Sequence, residues 1–241
     1  MMTYILIALT ISLAMVWNSK TVHVYSNYDN SELSYLHPIF HELLGYISGK
    51  QIVDYGCGEG KLLEELLSGG ASCYGYDIST AMIQQARKRI GVYAQLQTIE
   101  SGKIPLSSDS IDAVVSNLVL MMCKDVQKIK DIFADVFRVL RENGLFIFSV
   151  THPAFAAYQF TMHRNIFSAK FDYFSEGQAY QFILQKENGT EITDSHFIDY
   201  HYPLSTYLNL LPKIGFTFEE MKEKRIHGND YPPYLVVKAR K

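Results

Sequence analysis

Two carboxylates and three glycines in this chain have the types and spacing to do chemistry. Asp54 lies in a short apolar run, Gly56, Gly58 and Gly60 follow at alternate positions, and Asp77 stands 19 residues beyond Gly58. Glycine permits positive φ and leaves bare backbone N–H groups against which the polar parts of a ligand can lie. A carboxylate about 20 residues further on, at the tip of a neighbouring strand, suits the hydroxyl groups of a ribose. Two phosphate-binding loops are excluded. The dinucleotide pattern G-x-G-x-x-G needs glycine at position 61, where Lys61 stands. A P-loop ending in Gly60-Lys61 needs glycine in place of Tyr55 and a hydroxyl residue in place of Leu62.

The elements that must position these groups follow from the hydrophobic pattern. Ile52 and Val53 mark a buried strand, and Leu62-Leu63 to Leu66-Leu67 begin a helix behind the glycines. Ser72 to Tyr76 forms a second strand that ends at Asp77. Ser79 caps a helix through Ala81, Met82 and Ala86 to the basic end at Arg87-Lys88-Arg89, which suits the helix dipole. Tyr93 to Ile99 is a weaker strand running into Glu100-Ser101, and Ile111 to Val115 is a fourth that opens into Ser116-Asn117-Leu118. An amphipathic helix from Val126 to Leu140 is expected to stop at Asn143-Gly144, before a fifth strand from Leu145 to Val150. Phe216 to Met221 and Tyr234 to Ala239 read as a terminal strand pair.

An acidic residue inside the strand followed by G-x-G-x-G resembles the first motif of the class I S-adenosylmethionine-dependent methyltransferases. The resemblance covers roughly residues 50 to 150 and, less fully, 200 to 241. It implies an α/β fold with a single Rossmann-like, doubly wound sheet of seven mostly parallel strands, an antiparallel terminal hairpin and an aromatic lid insertion. It implies S-adenosylmethionine as cofactor, with contacts at Tyr28, Asp54, Gly56, Cys57, Gly58, Gly60, Asp77, Ile78, Met82, Glu100, Ser101, Asn117 and Leu118. Asp77 would take the ribose and Glu100-Ser101 the adenine, with Glu100 where the family more often has aspartate. Many members carry a histidine near Met121 or Met122, and this chain has none there.

The expected domain runs from 17 to 241, with residues 151 to 205 as a lid rich in Phe and Tyr and containing a hairpin around Asn188-Gly189. Such a lid suits a small aromatic or lipophilic acceptor, methylated on oxygen or nitrogen. His152, directly after the fifth strand, and His201, two residues past Asp199 on one strand face, are the candidate catalytic bases. A subgroup of small-molecule methyltransferases is similar at both places, although the run His201-Tyr202-Pro203-Leu204 lacks the arginine of that subgroup. The other class of function is a non-catalytic cofactor-binding or scaffold protein on the same fold.

The formal net charge of −3 offers no broad basic surface, so no nucleic-acid partner is expected. Cys57, Cys73 and Cys123 lack metal-ligand spacing and read as reduced, buried thiols of a cytoplasmic protein. His37 and His41 stand four apart on a helix, compatible with a metal pair but without a third ligand, so packing or surface roles are expected and no metal. Residues 1 to 16 form an apolar extension. The stretch Tyr4 to Trp17 would reach about 21 Å as a helix, short of the ~30 Å hydrocarbon thickness. It reads either as a segment upstream of a functional start at Met15 or as a helix meeting a membrane surface or a partner protein.

Overall fold

The computed structural model describes residues 21, 22, 24, 35–226 and 228–241. The apolar extension and Tyr28 lie outside the described residues. No helix among the described residues is long and apolar enough to cross a membrane.

Ile52 and Val53 are fully enclosed in β1 (Gln51–Tyr55), as expected of a strand covered on both faces. β1 pairs in parallel with β2 (Ser72–Asp77) on one side and β4 (Ile111–Asn117) on the other. β3 (Ala94–Thr98), β5 (Leu140–Thr151), β9 (Thr217–Glu223) and β10 (Tyr234–Arg240) complete a sheet of order β3-β2-β1-β4-β5-β10-β9. Only β10 runs against its neighbours. The strand order therefore reverses between β1 and β4, and in open α/β sheets ligands bind outside the carboxyl ends of the strands at such a switch point.

Helices cover both faces. α1 (His37–Leu44), α2 (Lys61–Ser68) and α3 (Thr80–Ile90) share one core with Ile52, Val115 and Ile147. α4 (Val126–Val139) and α5 (Leu204–Ile214) share the other with Val114, Phe146 and Phe148. Ser79 caps α3 as its sequence implies, its hydroxyl accepting the Met82 N–H at 3.2 Å. His37 and His41 both reach across to Glu65 of α2, at 2.7 and 3.0 Å, and pin α1 to it.

Two departures from the sequence expectations are informative. α4 stops at Val139, and Asn143-Gly144 lies inside β5 as an irregularity where the register to β4 shifts, with Asn143 at φ 65°. The segment 151–205 holds a three-stranded antiparallel sheet, β6 (His163–Phe167), β7 (Gln178–Gln185) and β8 (Glu191–His201), where only the β7–β8 hairpin is legible. β6 carries little alternation, and its burial comes from rings stacked on His163: Phe160, Phe182 and Tyr234.

Phe133 fixes α4 against the sheet, meeting Phe146 edge-on at 5.1 Å and Phe148 at 5.3 Å with no exposure of its own. Phe133→Ala is expected to destabilise the fold by about 3–5 kcal/mol. A loss of unfolding free energy in urea titration of less than a third of that would show that α4 packs more loosely than described.

Candidate active site

The bend after β1 is held by β2. The N–H groups of Gly56 and Cys57 both donate to the Tyr76 carbonyl, at 2.7 and 3.0 Å. The Gly58 N–H donates to Asp77 Oδ2 at 3.0 Å, while Asp77 Oδ1 accepts the Ser79 N–H at 2.7 Å. Gly56 has φ 78°, and a β-carbon built there would sit 2.2 Å from Val119 Cγ2, so the bend tolerates no side chain at this position.

The loop after β4 supplies the facing wall. Leu118 adopts φ 56°, a left-handed conformation that costs a non-glycine residue roughly 1–2 kcal/mol. Ser149 of β5 stabilises it, accepting the Leu118 N–H at 2.9 Å and donating to Asn117 Oδ1 at 2.7 Å. With its carbonyl so engaged, Asn117 offers its NH2 end to a ligand. The third wall is the segment after β3. Tyr55 Oη accepts the Gly102 N–H at 2.8 Å, and Arg138 of α4 donates to the Ile104 and Leu106 carbonyls at 2.8 and 2.7 Å.

These walls enclose a cavity of about 280 Å³ at the carboxyl ends of β1, β2 and β4. Gly56, Gly58, Asp77, Ile78, Met82, Ser101, Asn117 and Leu118, all expected from the sequence, line it. Val119 and Met122 of the same loop line it as well, and so do Tyr55, Tyr76, Ile99, Cys123, Lys124 and Lys128, which the sequence motifs do not single out. Lys124 and Lys128 carried no distinguishing signal, since lysines at the head of an amphipathic helix are usually solvated. Tyr55 was legible in principle, as the first large residue after the strand acid.

Other expected residues stand elsewhere. Asp54, Cys57 and Gly60 are buried behind the bend, with Gly60 at the N-cap of α2. Glu100 is exposed and pairs with Lys103 at 2.8 Å, so an adenine contact would require it to leave that lysine and turn inward. His152 and His201 are buried off the cavity wall. His152 Nδ1 accepts the Ala154 N–H at 3.2 Å and its Nε2 meets Glu223 Oε1 at 2.7 Å, which occupies both ring nitrogens. His201 shares the buried face of β8 with Asp199, but its Nε2 meets the Tyr173 carbonyl at 2.9 Å instead of that acid.

Two carboxyls are crowded under the bend. Burial and then the charge of Asp77 push Asp54 up to about 8 from an ordinary 3.8. Burial also raises Asp77, opposed by the backbone N–H groups of Ser79, Gly58 and Ile78. The protonated folded form of Asp54 favours the native state below 3.8, and that advantage is lost as pH rises toward about 8, because the unfolded carboxyl ionises first. Asp54→Asn should therefore raise the melting temperature relative to wild type by an amount that grows across this window and vanishes at its acid end. A difference independent of pH would refute the assignment.

Residues 53–148 match the methyltransferase domain family. A demethylmenaquinone methyltransferase of Tropheryma whipplei (strain Twist) is 30% identical over 114 residues, 46% of this chain and 46% of that protein. A malonyl-(acyl-carrier protein) O-methyltransferase of Salmonella typhimurium is 32% identical over 111 residues, 44% of this chain and 42% of that protein. The match thus spans less than half the length of these curated relatives. The crystal structure of a putative S-adenosylmethionine-dependent methyltransferase from Listeria monocytogenes superposes with TM-score 0.67 at 22% identity, covering 87% of this chain and 98% of that one. Residues 53–148 thus match a methyltransferase domain, and the chain has the fold of the S-adenosylmethionine-dependent methyltransferase structure on which it superposes.

Proposed function

We propose that this chain transfers a methyl group from S-adenosylmethionine to an oxygen or nitrogen atom of a small aromatic or lipophilic molecule. The observation that carries the reading is the cavity at the switch point, where a glycine bend, a strand-end carboxylate and an oriented asparagine face one another. The residues present fit the cofactor. Asp77 accepts backbone N–H groups at both oxygens and still keeps lone-pair capacity for ribose hydroxyls. Ile78, Met82 and Ile99 offer an apolar slot for a purine, with Ser101 at its polar edge. Gly56 and Gly58 leave open backbone for the amino-acid end.

When bound, the cofactor supplies an activated methyl group on sulfonium. The protein's part is to align the acceptor and exclude water, which is chiefly proximity and orientation. The cavity is about the size of one nucleoside-bearing ligand, at the lower end of the ~300–1,000 Å³ usual for small-molecule sites. The acceptor therefore needs space beyond it, which we assign to the segment 151–205 over the carboxyl ends of β4 and β5. His152 and His201 then hold that segment in place through Glu223 and the Tyr173 carbonyl. The curated relatives support methyl transfer to small or carrier-bound molecules, and the chain's net charge of −3 favours that over a nucleic-acid acceptor. A cytoplasmic setting follows from the supply of the cofactor.

Asp77→Ala is expected to weaken S-adenosylmethionine about 100-fold or more, because two hydrogen bonds to a charged group are lost and the Gly58 N–H is left unpaired. Asp77→Asn should fall between. Titration calorimetry reads both, and affinity retained in the alanine variant would remove Asp77 from the ribose. Methyl-labelled S-adenosylmethionine incubated with the full chain and cell extract should label a small molecule identifiable by mass. Tight binding with no label transferred to any extract component would favour the non-catalytic scaffold reading.

A further inference from the structure

Lys124 and Lys128 are the cations on the wall of the switch-point cavity. Neither forms an ion pair with a carboxylate among the described residues, whereas Arg138, further along α4, pairs with Asp135 at 2.7 Å. Glu100, held low mainly by its hydrogen bond to Lys103 and slightly by Lys128, is already engaged by Lys103 at 2.8 Å. The two lysines also flank Asp125, the N-cap of α4, and the first turn of that helix carries no acid. Cations at the positive end of a helix dipole do not help the helix, so its stability does not explain them.

They stand where the small sheet meets the cavity. A β-carbon built on Gly177, just before β7, would lie 3.3 Å from the Lys124 carbonyl oxygen, so the two backbones are in contact. Tyr202, just after β8, donates its hydroxyl to the Cys123 carbonyl at 2.8 Å. In the function proposed above, the nucleoside uses Asp77, Ile78, Met82, Ile99 and Ser101, and the amino-acid end uses Gly56 and Gly58. What remains free for an acceptor is the α4 end of the lining, where Met122 is 36% exposed and both lysines are exposed at the mouth.

The lining offers nothing suited to take a proton. Asp77 is its one acid and is engaged by the Gly58 and Ser79 N–H groups, and no histidine lies among the lining residues. Burial pushes the Cys123 thiol up to about 11, so it keeps its proton near neutrality. A phenol or alcohol would need a base here, while a carboxylate arrives ionised.

We propose that the acceptor is a lipophilic carboxylic acid, bound as its carboxylate by Lys124 and Lys128 at the mouth of the cavity and methylated on oxygen to the ester. This rests on the methyltransferase function proposed above and narrows it. The ammonium groups bind the carboxylate by charge-assisted hydrogen bonds, and Met122 meets the apolar body. In the transfer, a bond forms between a carboxylate oxygen and the methyl carbon, the carbon–sulfur bond breaks, and its electron pair stays on sulfur. The anion and the sulfonium neutralise each other, and no proton moves.

The test uses the full chain saturated with S-adenosylhomocysteine and two fluorescent probes, 2-naphthoate and the neutral 2-naphthamide. Wild type is expected to bind the naphthoate about tenfold or more tightly at low salt, with the preference shrinking as salt rises. Lys124→Gln with Lys128→Gln should erase the preference, and each single change should retain part of it. Equal binding of the two probes by wild type, or a preference that survives the double change, would overturn the proposal. A second arm compares S-adenosylhomocysteine with 5′-methylthioadenosine, which lacks the amino-acid end. Their affinity ratio should be the same in wild type and double variant, and a collapse of that ratio would assign the lysines to the cofactor's own carboxylate instead. The label transferred from methyl-labelled S-adenosylmethionine to cell extract should be released as volatile methanol by mild alkali, as an ester requires. A label stable to alkali would refute the carboxylate acceptor, whereas failure of wild type to bind S-adenosylhomocysteine would sink the methyltransferase reading itself.

Discussion

The site depends on the attachment of the glycine bend to the tip of β2. Two backbone N–H groups converge on the Tyr76 carbonyl and a third, from Gly58, on the Asp77 carboxylate. A bend made of glycines has high conformational entropy when free, and without such ties its N–H groups would not present a fixed surface. The same carboxylate that fastens the bend forms part of the cavity wall. Fastening and recognition therefore share one residue, and the spacing of 19 between Gly58 and Asp77 is what parallel pairing of adjacent strands around one helix requires.

The central sheet was legible because its signals are local and redundant. Enclosed strands such as Ile52-Val53 read as apolar runs, Ser79 reads as a cap, and the stripe Ile129, Ile132, Phe133, Val136 reads as one helix face. What remained hidden depends on tertiary partners. Asn143-Gly144 looks like a helix stop, yet it lies in an irregular strand tied to the chain end, where the Asn143 N–H donates to the Lys241 carbonyl at 3.0 Å. β6 is a strand because of the rings stacked on His163, a relation that propensity cannot express. Within the site, glycines and acids at motif spacing were visible. Tyr76 and the two lysines were not, since their side chains reach the cavity only through the course of the backbone. Histidine chemistry suggests a base at His152 and His201, and in this structure both His152 ring nitrogens and His201 Nε2 are engaged in hydrogen bonds.

Three acids, Asp54, Asp77 and Asp199, are all raised by burial, and all lie on or near the reaction edge of the sheet. Perturbed carboxyls gather where a site excludes water. The core built from α1, α2 and α3 is pinned by Glu65 between two histidines, an arrangement that lowers the acid through their hydrogen bonds despite its partial burial.

The contact between Val119 and Gly56 joins the two halves of the crevice mechanically. A methyl group of Val119 rests against bare glycine backbone with no slack between them, and the turn that follows Val119, Leu120–Met122, meets the small sheet through β8. A molecule that shifts this turn from the lid side must press on the glycine bend from behind, and one that fills the bend must stiffen the turn. Thermodynamic reciprocity then makes each occupant change the other's grip by the same factor, so this single close-packed contact couples the two halves of the site.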